Sequence, residues 1–175
     1  MSSILVAGVG NIFKGDDGFG VEVVQRLARK NLPDGVKVVD FGIRGIDLTY
    51  ALLDGYRAAV LVDTVQRGGA PGTVYVIEPE WPTEDEATPD ELQIAPHDLD
   101  PMKVLRLVKA LGGRCDRLVM VGCEPGTFGD EEGAMGLSPP VAAAVDEAVP
   151  AIEALIGELL EKERLVQETV EIFTT

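Results

Sequence analysis

Short apolar runs alternate along the chain with stretches whose apolar residues recur every three or four positions. Ser3-Ile4-Leu5-Val6-Ala7 reads as a strand, apolar at every position after Ser3, as a strand covered on both faces is. Gly8-Val9-Gly10-Asn11 reads as a turn. Phe19, Val21, Val23, Val24 and Leu27 then recur at helical spacing, which predicts a helix from Asp17 to about Lys30. A turn at Pro33-Asp34-Gly35 leads into a second strand, Val36–Asp40. Ile46–Leu53 is a short helix stopped by Gly55, and Ala58–Asp63 is a third strand. Gly68-Gly69-Ala70-Pro71-Gly72 turns the chain into Thr73–Ile77, a strand rich in β-branched residues. Asp98–Leu111 has helical period and ends at Gly112-Gly113, and Asp116–Gly122 is the fifth strand. Ser138-Pro139 opens a last long helical stretch, with Ser as N-cap and Pro at the first helical position. Pro150 is expected to kink that helix or to start a second one.

This alternation, with no internal repeat and no linker, predicts a single α/β domain over residues 1–160. The expected fold is a three-layer sandwich: a mainly parallel sheet of about five strands with helices on both faces, joined by right-handed crossovers. Residues 161–175 form a charged tail that extends the last helix or frays. The stretch from Glu78 to Pro96 is rich in proline and acid, holds no base, and reads as a long surface loop.

Charge narrows the function classes. The chain has 175 residues, with 15 Lys+Arg against 30 Asp+Glu, a formal charge of −15. That balance argues against a nucleic-acid surface, which needs clustered bases to neutralise phosphates, and against adhesion to anionic lipid. No apolar run approaches the roughly 18 residues needed to cross a bilayer, and Met1-Ser2-Ser3 offers no basic leader, so no membrane insertion and a cytoplasmic protein are expected. Cys115 and Cys123 flank one strand-like run. At about 3.3 Å per residue they lie too far apart for a disulfide, so both read as buried, inert thiols.

In such sheets ligands bind beyond the carboxyl ends of the strands. That rule marks Gly8–Asp17, Asp40–Gly45, Asp63–Gly69 and Gly122–Gly129. The first of these loops fails two phosphate-binding patterns. Phe13 stands where the dinucleotide fingerprint needs a small residue, although Asp40 could mimic its ribose-binding acid. Asp16 and Asp17 stand where a P-loop has Lys and Ser or Thr, and two carboxylates there favour a cation over a polyphosphate. Taken alone, either aspartate reads as a helix N-cap, and Asp63, which closes the third strand, as a turn former. His97, the one histidine in the chain, reads by itself as a solvated or structural residue. Taken together, Asp17, Asp63 and His97 offer two oxygens and a nitrogen to a divalent transition ion, with coordination positions left open. Neither HExxH nor GxSxG occurs.

Ile4-Leu5-Val6-Ala7-Gly8-Val9-Gly10-Asn11 with Gly15-Asp16-Asp17-Gly18-Phe19-Gly20-Val21 resembles the signature loop of the hydrogenase maturation endopeptidases. Asp40-Phe41-Gly42-Ile43-Arg44-Gly45, Leu52–Asp63, Gly68–Thr73, Pro96–Asp100, Gly122–Pro125 and Gly136–Pro139 are similar to that family's later motifs in the same order, from Ile4 to about Leu160. The resemblance implies a peptidase that trims the C-terminal extension from the nickel-loaded large-subunit precursor of a nickel–iron hydrogenase. It carries the family's metal-binding and catalytic acid, acid and histidine onto Asp17, Asp63 and His97; Asp17 stands where many members have Glu. The metal is expected to be nickel carried by the substrate, with no nucleotide. Asp40 is the candidate for contacting the precursor backbone, and the protein is expected to act as a monomer. The competing readings are a non-proteolytic nucleotide- or metal-binding module and a related peptidase with another precursor.

Overall fold

The apolar run at the start of the chain becomes β1 (Ile4–Val9), with all six residues buried. A computed structural model describes residues 3–81 and 100–174, with side chains to residue 166. A 3-10 turn at Gly15–Gly18 leads into α1 (Phe19–Leu27), then β2 (Val36–Gly42), α2 (Gly45–Leu53), β3 (Ala58–Thr64), β4 (Val74–Ile77), α3 (Pro101–Ala110), β5 (Arg117–Cys123) and α4 (Pro139–Thr174). The described strands form one sheet in the order β2-β1-β3-β5-β4. All pairings are parallel except β4 with β5. This is the mainly parallel five-stranded α/β fold that the strand–helix alternation predicts. His97, the expected helix start at Asp98 and most of the acidic stretch Glu78–Pro96 lie outside the described residues.

Successive residues of a strand face opposite sides, and the two cores follow that rule. Ile4 and Val6 of β1 and Val60 and Val62 of β3 pack with Phe19 and Val23 of α1 and Val145 and Ile152 of α4. Leu5 and Ala7 of β1 and Leu61 of β3 pack on the other face with Leu48 and Leu52 of α2 and Val104, Leu105 and Val108 of α3. Each fully buried large aliphatic side chain contributes about 2 kcal/mol. The central strands are therefore held from both sides, and their carboxyl ends are fixed relative to one another.

Two elements differ from expectation. The first helix does not begin at Asp17: a 3-10 turn precedes it, and α1 has Gly18 at its N-cap with no side-chain cap. Neither Asp16 nor Asp17 is an N-cap, because both carboxylates bond elsewhere. Pro150 does not start a second helix but lies inside α4. It faces solvent, as does Asp146 one turn earlier, so water can satisfy the carbonyl that loses its helical donor.

The entry of α1 lies on the backbone of the sheet. A Cβ at Gly20 would sit 2.0 Å from the Val62 carbonyl oxygen and 2.3 Å from that of Val9. At Gly10, which has φ +140°, a Cβ would sit 1.8 Å from the Asp17 carbonyl oxygen. These glycines let the first loop fold down onto the end of β3. Gly20→Ala should therefore destabilise the protein by about 3 kcal/mol or more, since strand backbone must move. Gly157→Ala, at a helical position with nothing within 4 Å, should instead be neutral or stabilise by up to about 1 kcal/mol. Urea denaturation of both variants checks the contrast.

Candidate functional site

The loops that the sheet-edge rule marks do gather at the carboxyl ends of β1, β3 and β5. Asp17, on the 3-10 turn, accepts the Asn11 N–H at Oδ2 (2.9 Å) and the Thr64 hydroxyl at Oδ1 (3.3 Å). Asp63, next to last in β3, is buried and accepts the Thr64 N–H at Oδ1 (2.7 Å). Burial pushes the Asp63 carboxyl well above the usual carboxylate range; the Thr64 N–H opposes this, and the charges of Asp17 and Asp100 add to it. Asp100 caps α3 by accepting the Met102 N–H at 2.9 Å. The structure thus brings Asp17 and Asp63 together, with Asp100 near enough to act on Asp63. His97, the third expected member, lies outside the described residues. Among the described residues no three His, Cys, Asp or Glu side chains are grouped to hold a metal ion. The donors in place are the two aspartates.

Asp16, adjacent to Asp17, is fully engaged elsewhere. Its Oδ1 accepts the Ser138 N–H (2.6 Å), and its Oδ2 accepts the Gly126 N–H (2.7 Å), the Thr127 N–H (2.9 Å) and the Ser138 hydroxyl (2.8 Å). Burial alone would raise its pKa, but these donors outweigh it and hold the carboxyl below the usual range. Asp16 is a buried tie between the first loop and the loop after β5, and it leaves Asp17 as the aspartate directed at β3. Backbone bonds from Gly15 N to Ala134 O (2.8 Å) and from Ala134 N to Phe13 O (2.9 Å) continue the tie.

Glu124 escaped the sequence reading as a site-shaping group. Its carboxylate accepts the Arg67 N–H (2.8 Å), the Gly68 N–H (3.2 Å) and the Tyr75 hydroxyl (3.0 Å), which fastens the turn after β3 to the end of β5. The Arg67 N–H is the main reason its pKa lies below the ordinary value. The only signal in the sequence was an acid at a strand end facing a glycine-rich turn.

Asp40 stands apart from the aspartate pair. It accepts from Gln25 Nε2 (3.1 Å) and lines a cavity of about 330 Å³ with Asn11, Ile12, Phe41 and Arg44. The Arg44 guanidinium bonds the Asp40 carbonyl. This cleft adjoins the first loop without including Asp17 or Asp63.

The first loop is built unlike a phosphate cradle. The N–H groups of Gly10, Asn11, Phe13, Lys14, Gly15, Asp16 and Asp17 all bond to acceptors within the protein. A phosphate-binding loop presents such groups unpaired to its ligand, so the nucleotide reading loses its basis here.

The hydrogenase maturation protease family model matches residues 21–155. The chain is 32% identical over 161 residues to the hydrogenase 2 maturation protease of Escherichia coli strain K12, a match covering 90% of this chain and 91% of that protein. Its fold is similar to the hydrogenase maturating endopeptidase HybD from E. coli, with a TM-score of 0.71 at 30% identity over 90% of this chain and 93% of that one. It is also similar to a hydrogenase 2 maturation peptidase from a Thaumarchaeota archaeon, with a TM-score of 0.68 at 33% identity over 89% and 99% of the two chains.

The two buried aspartates affect stability with opposite signs. The folded pKa of Asp16 is lowered, so its stabilisation is full above the unfolded value near 3.8 and is lost as pH falls through the folded value. Asp16→Ala should cost about 3 kcal/mol at pH 7 and flatten the acid limb of the stability curve. The folded pKa of Asp63 is raised, so its contribution is most favourable below the unfolded value near 3.8 and falls as pH rises through the folded value. Asp63→Asn should therefore raise the Tm at pH 8. Denaturation curves across pH check both; a neutral Asp16→Ala or a lower Tm for Asp63→Asn contradicts these assignments.

Proposed function

Because the chain belongs to the hydrogenase maturation protease family, we propose that it is the endopeptidase that removes the C-terminal extension from the nickel-loaded large-subunit precursor of a nickel–iron hydrogenase. In this reading it acts in the cytoplasm as a monomer. No helix among the described residues is long and apolar enough to cross a membrane. The observation that carries the reading is the pair of aspartates, Asp17 and Asp63, held at the carboxyl edge of the sheet through a shared neighbour, Thr64.

The nickel belongs to the substrate. Asp17, Asp63 and His97 recognise it and so bring the peptide bond beside the two carboxylates. Three Cα–Cα steps, of about 3.8 Å each at most, separate His97 from Asp100, whose charge acts on Asp63. A cation brought to Asp63 favours the ionised form that burial disfavours. An ionised carboxylate beside the peptide then orients water and takes its proton during hydrolysis. Asp40 and its cleft receive the precursor backbone next to the first loop. A precursor lacking nickel gives the aspartates no cation to answer their charge, which accounts for cleavage only after loading.

The test is cleavage of nickel-loaded precursor, followed by mobility shift and by sequencing of the released peptide. Asp17→Ala, Asp63→Ala and His97→Ala should each lower the rate by about 100-fold or more. Asp40→Ala should mainly raise KM. Full processing by the His97 variant removes that residue from the mechanism, and full processing by both aspartate variants overturns the reading.

A further inference from the structure

The hydroxyl and the N–H of Thr64 reach the two aspartates separately. The Thr64 N–H donates to Asp63 Oδ1 at 2.7 Å, and the Thr64 hydroxyl donates to Asp17 Oδ1 at 3.3 Å. The alternation of β3 explains how one residue does both. Val62 faces the α1 and α4 side, Asp63 the opposite side, and Thr64 faces α1 again. The 3-10 turn carrying Asp17 lies over that face, because Gly20 lets the start of α1 rest on the Val62 carbonyl. Asp17 and Asp63 thus approach from opposite sides of one strand end, and Thr64 is the residue between them. Register holds it firmly: Thr64 pairs with Cys123 of β5, and the next residue donates its N–H to the Cys123 carbonyl at 2.9 Å.

We propose that Thr64 is a positioning residue for precursor cleavage, its hydroxyl aiming the Asp17 carboxylate toward Asp63. The proposal rests on the protease reading above. Of the two donors to Asp17 among the described residues, the Asn11 N–H belongs to the main chain and no replacement short of proline removes it. The Thr64 hydroxyl is the removable one. Without it Asp17 keeps one donor among the described residues and can rotate about that bond, and small errors in placing a reacting group carry large rate penalties. Thr64 acts only through Asp17, which the Asn11 N–H still tethers for docking, so its loss falls on turnover more than on docking.

Three variants separate the possibilities. Thr64→Val replaces the hydroxyl by a methyl group of similar size and keeps the N–H bond to Asp63. Thr64→Ser keeps the hydroxyl and drops the methyl. Asp17→Ala removes the group being aimed. With nickel-loaded precursor, Thr64→Val should lower kcat by about tenfold or more with KM within about twofold. Thr64→Ser should restore kcat to within about twofold of the parent. Thermal unfolding midpoints report whether Thr64→Val remains folded at the assay temperature; if it does not, Thr64→Ala replaces it with the same expectation. Unchanged kcat in Thr64→Val, an equal loss in Thr64→Ser, or a change confined to KM overturns the proposal. If Asp17→Ala cleaves like the parent, the protease reading of that aspartate fails instead, and the two failures are distinct.

Discussion

The first turn of α1 rests on the carbonyl oxygens of Val9 and Val62, and only a residue without a Cβ fits there, at Gly20. This contact between backbones brings the carboxylate of a loop residue, Asp17, over the end of β3. It explains why the glycines around the first turn surround two aspartates instead of a phosphate. The loop turns its own N–H groups inward, to Gly42, Asn11, Ala134, Thr127 and Asp17, and presents carboxylates at the rim.

A chain with a charge of −15 gains no stability by gathering more negative charge. The rim nevertheless holds Asp17, Asp63 and Asp100 close enough for the last two to interact. Two other acids serve the opposite purpose. Asp16 and Glu124 spend their oxygens on main-chain N–H groups and hydroxyls of loops distant in the chain, and so build the walls of the site. Acids satisfied by fixed donors hold the loops, while Asp63 is poorly compensated in a buried place and, on the proposed function, answers the cation of the substrate. That division between stabilising and functional carboxylates is the chemistry expected of a site that waits for a charged cargo.

Much of this was legible in the pattern of residues. The unbroken apolar runs of β1 and β3 mark strands covered on both faces, and the helices between them require a parallel sheet. The direction of β4 follows as well: the link from Val65 to Thr73 is too short for a crossover, so the strand must run back from the same edge. The resemblance singles out Asp17, but spacing alone does not separate it from Asp16, because adjacent acids in one turn differ only in which way they point. What points Asp16 inward is Ser138, 122 residues away. Glu124 and the turn at Arg67 are similarly distant in sequence. Thr64 was invisible as well: its part depends on the start of α1 lying over β3, which no local spacing encodes.

The central claim is that two aspartates and the single histidine meet at one ion. The most direct measurement is an anomalous difference map from crystals of the full chain grown with Cd²⁺. The expected result is one strong peak bonded by carboxylate oxygens of Asp17 and Asp63 and by the His97 imidazole. A peak bonded by other residues, or a map in which His97 lies beyond reach of both aspartates, would contradict it.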